Sequence, residues 1–134
     1  MNANAPLGSH LEVVTDRKRA ETILILTARL DEVTDIVRVY FSSKQATECA
    51  EAFKRADRAL TGTELGKIAS HFSMLTLSTG MDIDIDTERG GIVLTVHVNS
   101  DEYCFLVRGA TLINACADAL LESASELRTF NFYS

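Results

Sequence analysis

The stretch Met81-Asp82-Ile83-Asp84-Ile85-Asp86-Thr87-Glu88-Arg89-Gly90-Gly91-Ile92-Val93-Leu94-Thr95-Val96-His97-Val98 decides the fold. Met81, Ile83 and Ile85 alternate with Asp82, Asp84 and Asp86, the period of a strand with one apolar and one polar side. Thr87 to Gly91 supplies turn chemistry, because glycine takes a positive φ without a Cβ clash. The chain then returns with Ile92, Leu94, Val96 and Val98 on one side and Val93, Thr95 and His97 on the other. Asn99-Ser100-Asp101 makes the next turn, and Tyr103, Phe105 and Val107 mark a third strand. After Gly109 the period changes. Leu112, Ile113, Cys116, Ala117, Leu120, Ala124 and Leu127 fall at helical spacing, with Asn114, Asp118, Glu122 and Glu126 opposite and Thr111 as the expected N-cap.

Upstream, the same order can be read. Leu11 to Val14 is a short apolar run, and Asp16-Arg17-Lys18-Arg19 is a charged, solvated turn. Thr22 to Leu30 alternates with Leu24, Leu26, Ala28 and Leu30 on one side, and Ile36 to Phe41 is rich in β-branched and aromatic residues. Ser42 or Ser43 then caps a helix over 44–60 whose apolar stripe is Ala46, Cys49, Ala50, Phe53, Ala56 and Leu60. One competing reading stands beside this. Ile23, Leu26, Leu30, Val33, Val37 and Tyr40 also fit a helical stripe, so residues 16–41 could form one long helix. The β-branched enrichment favours strands.

A weak internal match supports that choice. Cys49 and Cys116 lie 67 residues apart in similar Ala-rich contexts, the same offset joins Leu60 to Leu127, and Ile25-Leu26-Thr27 meets Val93-Leu94-Thr95 one residue further on. The expected architecture is therefore α+β, an antiparallel sheet with helices on one face, in the form of a duplicated βββα unit. Residues 1–10 read as a flexible lead, and 11–134 as one domain with halves 11–67 and 68–134. Between the halves, Thr61-Gly62-Thr63-Glu64 has capping-box spacing and opens a short helix with Leu65, Ile68, Ala69 and Phe72 on one side. The aromatic tail Thr129 to Ser134 is expected to dock as a short strand or to stay exposed.

Charge is unevenly spread over the 134 residues. Residues 1–67 hold ten Lys/Arg and ten Asp/Glu, whereas 68–134 hold three and nine, so the second half carries the whole net charge of −6. Such a field favours a basic partner and repels nucleic acid and anionic lipid. No apolar run approaches the ~20 residues that cross a bilayer, and residues 1–9 lack the apolar core of a secretory signal. Three cysteines without a close pair argue against a disulfide scaffold, so a reducing cytoplasm is the expected compartment.

Motif by motif, no complete catalytic or metal-binding signature is found. Asp82-x-Asp84-x-Asp86 would need Gly at the sixth position and Glu at the twelfth to be an EF-hand loop, and Thr87 and Val93 stand there. His10, His71 and His97 have no metal-ligand spacing with the cysteines. Cys104 with His97 and Asp101 lacks an oxyanion hole or nucleophile elbow. Gly90-Gly91 precedes no helix and has no lysine, so it is no phosphate loop. Ser42-Ser43-Lys44 before an Ala-rich helix is similar to the start of a double-stranded-RNA-binding helix, but a lone Lys44 followed by Glu48 cannot supply the phosphate contacts. No catalytic residue, metal or cofactor is expected.

A one-domain α+β chain of this size and acidity is similar to the specialised chaperones of bacterial type III secretion, chiefly over residues 81–127. That family begins with a helix packed on its sheet, whereas a short lead precedes the first strand here. The resemblance rests on architecture and implies a homodimer holding an extended client in an apolar groove.

The reading that the residues themselves favour is a non-catalytic module, an inhibitor or immunity-type protein that occludes a basic site on another protein. Its expected contact residues are Asp82, Asp84, Asp86, Glu88, Asp101 and Glu102, with Tyr103, Phe132 and Tyr133 as aromatic anchors. A chaperone and a small enzyme are the alternatives.

Overall fold

The computed structural model describes residues 10–30, 33–60, 71–75, 80–86 and 88–133. Among the described residues, two antiparallel sheets and two helices make up the fold. The first sheet is formed by β1 (His10–Asp16), β2 (Glu21–Leu30) and β3 (Val33–Phe41), in that order, and α1 (Ser43–Leu60) follows it. The second is formed by β4 (His71–Leu75), β5 (Gly80–Asp86), β6 (Gly91–Val98) and β7 (Asp101–Arg108), and α2 (Ala110–Tyr133) follows. The duplicated βββα unit is thus the architecture, with β4 added at one edge of the second sheet. Residues 16–41 form strands, not one helix.

Register makes the repeat concrete. Leu24 faces Val39 and Leu26 faces Val37 across the β2–β3 pair; Ile92 faces Val107 and Leu94 faces Phe105 across β6–β7, each residue 68 positions on. The two hairpin turns correspond at an offset of 70. In the first, the Asp16 carboxylate accepts from the Arg19 backbone N–H at 3.2 Å; in the second, Asp86 accepts from Arg89 N–H at 3.1 Å. Both turns end on a left-handed residue, Ala20 at φ 54° and Gly90 at φ 65°. The change of offset from 70 to 68 within a strand is an even number, so no side chain changes face.

Alternation buries one face of each sheet. Leu24, Leu26, Ala28, Val37, Val39 and Phe41 point inward from the first, and Met81, Ile83, Ile92, Leu94, Val96, Phe105 and Val107 from the second. The helices present Ala46, Cys49, Ala50 and Phe53, and their equivalents Ile113, Cys116, Ala117 and Leu120, to the same continuous core. Each fully buried Leu, Ile or Phe contributes about 1.5–3 kcal/mol relative to exposure.

The helices run antiparallel, because Thr47 meets Arg128, Lys54 meets Asp118 and Asp57 meets Asn114. α1 rests on β5 and β6 as well as on β2 and β3, and α2 rests on β1 and β2 as well as on β7. Each helix therefore covers part of the other unit's sheet. A hydroxyl trio, with Thr22 and Ser123 buried and Thr15 half-buried, fixes α2 there: Ser123 Oγ lies 2.6 Å from Thr15 Oγ1 on β1 and 2.7 Å from Thr22 Oγ1 on β2.

The helix starts differ. Ser42 caps α1 in a reciprocal box, its Oγ accepting from Gln45 N–H at 3.2 Å and its N–H donating to Gln45 Oε1 at 3.1 Å. α2 starts at Ala110, not after Thr111, and Ile113 N–H closes onto the Gly109 carbonyl at 3.1 Å. Gly109 sits at φ 93°, which lets β7 turn into α2 within one residue.

Two further expectations are corrected. Phe72 lies on β4 opposite Ile83, not on a helix, because pairing with the free edge of β5 outweighs local helical spacing. The helix predicted to open at Thr61–Glu64 otherwise lies outside the described residues. The tail is no strand: α2 continues to Tyr133, since no Gly or Pro follows Leu127 to stop propagation. Among the described residues, no helix is long and apolar enough to cross a membrane.

Candidate acidic docking face

With its inner side against the helices, the second sheet turns its other side outward. Period-two geometry places Asp82, Asp84 and Asp86 of β5 there together. Across the sheet, Asp82 stands in line with Thr95 and Cys104, Asp84 with Val93 and Leu106, and Asp86 with Gly91 and Arg108. Glu102 of β7 is opposite His97 on the same side.

This face is not uniformly polar. Val93 and Leu106 are only 8% and 4% exposed, and with Cys104 they form a small apolar cluster separate from the main core. A cleft of about 450 Å³ opens here, lined by Asp84, Ile85, Asp86, Glu88, Val93, Thr95, Glu102 and Cys104. Four carboxylates, from β5, the β5–β6 turn and β7, thus surround a floor made of Val93 and Cys104. Such a hollow sets negative charge around a small apolar surface.

The chain's own cations neutralise part of the acidity. Arg89 Nε donates to Asp86 Oδ2 at 2.7 Å, and this bond, with the Arg89 backbone N–H, lowers the Asp86 pKa below the usual carboxylate value. Arg108 is turned to the Arg89 carbonyl, 3.1 Å from its Nε. His97 stands between two carboxylates, Nε2 2.9 Å from Asp82 and Nδ1 3.6 Å from Glu102. The most exposed acids lining the cleft are Glu88 and Glu102.

The sequence-derived residues are only partly brought together. Asp82, Asp84, Asp86, Glu88 and Glu102 share this face. Asp101 is exposed at the start of β7 but has the inward parity of Tyr103, Phe105 and Val107. Tyr103 packs against the main core, on the opposite side of the sheet from the carboxylates. Phe132 and Tyr133 end α2, and their side chains lie outside the described set. The Cys104–His97–Asp101 arrangement is not assembled: His97 is engaged with Asp82, Cys104 Sγ is 3.8 Å from Thr95 Oγ1, and Asp101 has the other parity. Among the described residues, no three of His, Cys, Asp and Glu converge as metal ligands.

Sequence reasoning missed the apolar floor. The signal was present in Ile92-Val93-Leu94, three apolar residues in a row, which in a strand means burial on both faces. Cys49 and Cys116, by contrast, are core residues. Burial pushes the Cys116 thiol up to about 12, and burial together with nearby Cys116 raises Cys49 well above its ordinary value. Neither supplies a thiolate. Comparisons with protein-family models, with curated proteins and with solved structures each find no match.

Proposed function

We propose that this chain is a non-catalytic binding module whose second sheet docks, through its outer face, on a basic site of another protein and occludes it. The observation that supports this reading is the cleft ringed by Asp84, Asp86, Glu88 and Glu102 over Val93 and Cys104. The carboxylates steer a cationic partner and select Lys or Arg, while the apolar floor takes up the aliphatic stem. Because Arg89 already satisfies Asp86 and the most exposed acids of the cleft are Glu88 and Glu102, the main electrostatic contribution comes from Glu88 and Glu102.

The test has two stages. The partner is captured from source lysate at about 50 mM salt and identified, and its association rate is then measured against salt for the native chain and the triple variant D84N/E88Q/E102Q. The variant should associate roughly 10-fold more slowly, with a flatter salt dependence. An unchanged rate and unchanged salt slope would overturn the reading.

A further inference from the structure

The outer face of the first sheet is built differently. Register sets three rows across it: Val14, Ile23 and Tyr40; Glu12, Ile25 and Arg38; His10, Thr27 and Ile36. Val14 is 38% exposed and Ile36 53%, two of the three large exposed hydrophobics among the described residues. Ile23, Ile25 and Tyr40 are half-buried. Glu12 and Arg38 are exposed and have no ion-pair partner among the described residues. They stand two strand spacings apart, roughly 9–10 Å, with Ile25 between them, too far for a direct pair within one sheet.

That antisymmetric row identifies the occupant. A face meant for a basic or an acidic partner would carry one sign of charge. A face meant for itself is self-complementary about its own dyad, and opposite charges at equal distances either side of that dyad meet in pairs. We propose that the outer face of the β1–β2–β3 sheet is a homodimer interface, packed face to face on a second copy about a two-fold axis parallel to β2. That axis brings β1 of one protomer over β3 of the other. Glu12 then meets Arg38 of the second copy twice over, Ile25 and Ile23 each meet their own equivalents, Val14 meets Tyr40, and His10 meets Ile36, while Glu21 at the start of β2 comes over its own equivalent at the rim, where water screens the like charges. Aligned packing of two twisted sheets about 10 Å apart is an ordinary sandwich geometry, and an axis parallel to β2 keeps the two β2 strands aligned and the central row in register. This inference is independent of the acidic face, which the dimer leaves uncovered.

Charge reversal tests it. Sedimentation equilibrium is run on the native chain, E12R, R38E and the double variant E12R/R38E, with circular dichroism on each. The native chain should dimerise, each single reversal should weaken dimerisation by about 100-fold, and the double reversal should restore it because both reciprocal pairs return with swapped ends. A native chain that is monomeric at about 100 μM overturns the proposal, as does a dimer indifferent to both single reversals. Should a single variant misfold, cross-linking decides. I25C in a C104S background places one thiol near the dyad, and a short bismaleimide should then join two chains. Failure to cross-link a chain that sediments as a dimer overturns the interface.

Discussion

The two βββα units share a backbone plan but spend their side chains differently. At the contact between each helix and the other unit's sheet, one site is polar and its counterpart is apolar. Ser123 of α2 meets Thr15 and Thr22. Ala56 of α1 corresponds to Ser123, and in the register of the first hairpin the Thr15–Thr22 pair falls where the second unit has Ile85–Ile92, Ile92 matching Leu24 only in the pairing with the next strand. The outer faces diverge as well: β1 carries Glu12, Val14 and Asp16 where β5 carries Asp82, Asp84 and Asp86. The plan thus depends on which positions face inward and on the turns, while the chemistry at a given position is free to change if its neighbours change with it.

The largest expected effect comes from positions where the units agree. Phe53 and Leu120 are equivalent and fully buried in one core. F53A should cost about 3–5 kcal/mol and L120A about 2–5 kcal/mol. Urea denaturation followed by far-UV circular dichroism and tyrosine fluorescence should show one coincident transition for each variant. Two resolved transitions would mean that the units do not share their stability.

A finer comparison uses the hydroxyl trio. S123A leaves the buried Thr22 hydroxyl without that partner and should cost about 1–3 kcal/mol. The triple variant T15V/T22V/S123A copies the apolar character of the counterpart site and should recover most of that loss, since removing both sides of a buried hydrogen bond is nearly neutral. A triple variant less stable than S123A would show that the polar site is more than a local exchange.

The smallest effect is at the matched turns. Ala20 holds a left-handed φ that Gly90 holds without strain, and a Cβ at Gly90 would touch nothing within 4 Å. A20G should therefore stabilise the chain by about 0.5–1 kcal/mol, and G90A should destabilise it by a similar amount. Thermal melts of the two variants should move in opposite directions.

The second hairpin was legible because alternating Ile and Asp plus two glycines leave one solution, and the first became legible only through its repeat. The strands of 16–41 also fit a helix, and their pairing with β1 and with each other, which no local window contains, decided the outcome. Phe72 was misplaced for the same reason: β4 exists through its pairing with β5. Thr111 looked like a cap by residue type, but Gly109 had already turned the chain. At the candidate site, the carboxylates could be read from period two alone. The neutralisation of Asp86 by Arg89 depends on the geometry of the turn, and the His97–Asp82 contact and the apolar floor of Val93 and Cys104 depend on neighbours across strands.

The exchange of helices between the units has a consequence for assembly. A half that lends its helix to the other cannot complete its own core, so as two separate chains these pieces would have to find each other at a concentration-dependent cost. One polypeptide makes the encounter intramolecular, at an effective concentration on the order of millimolar. Cohesion then persists at any dilution, and either outward surface can be remodelled without endangering the embrace that holds the halves together.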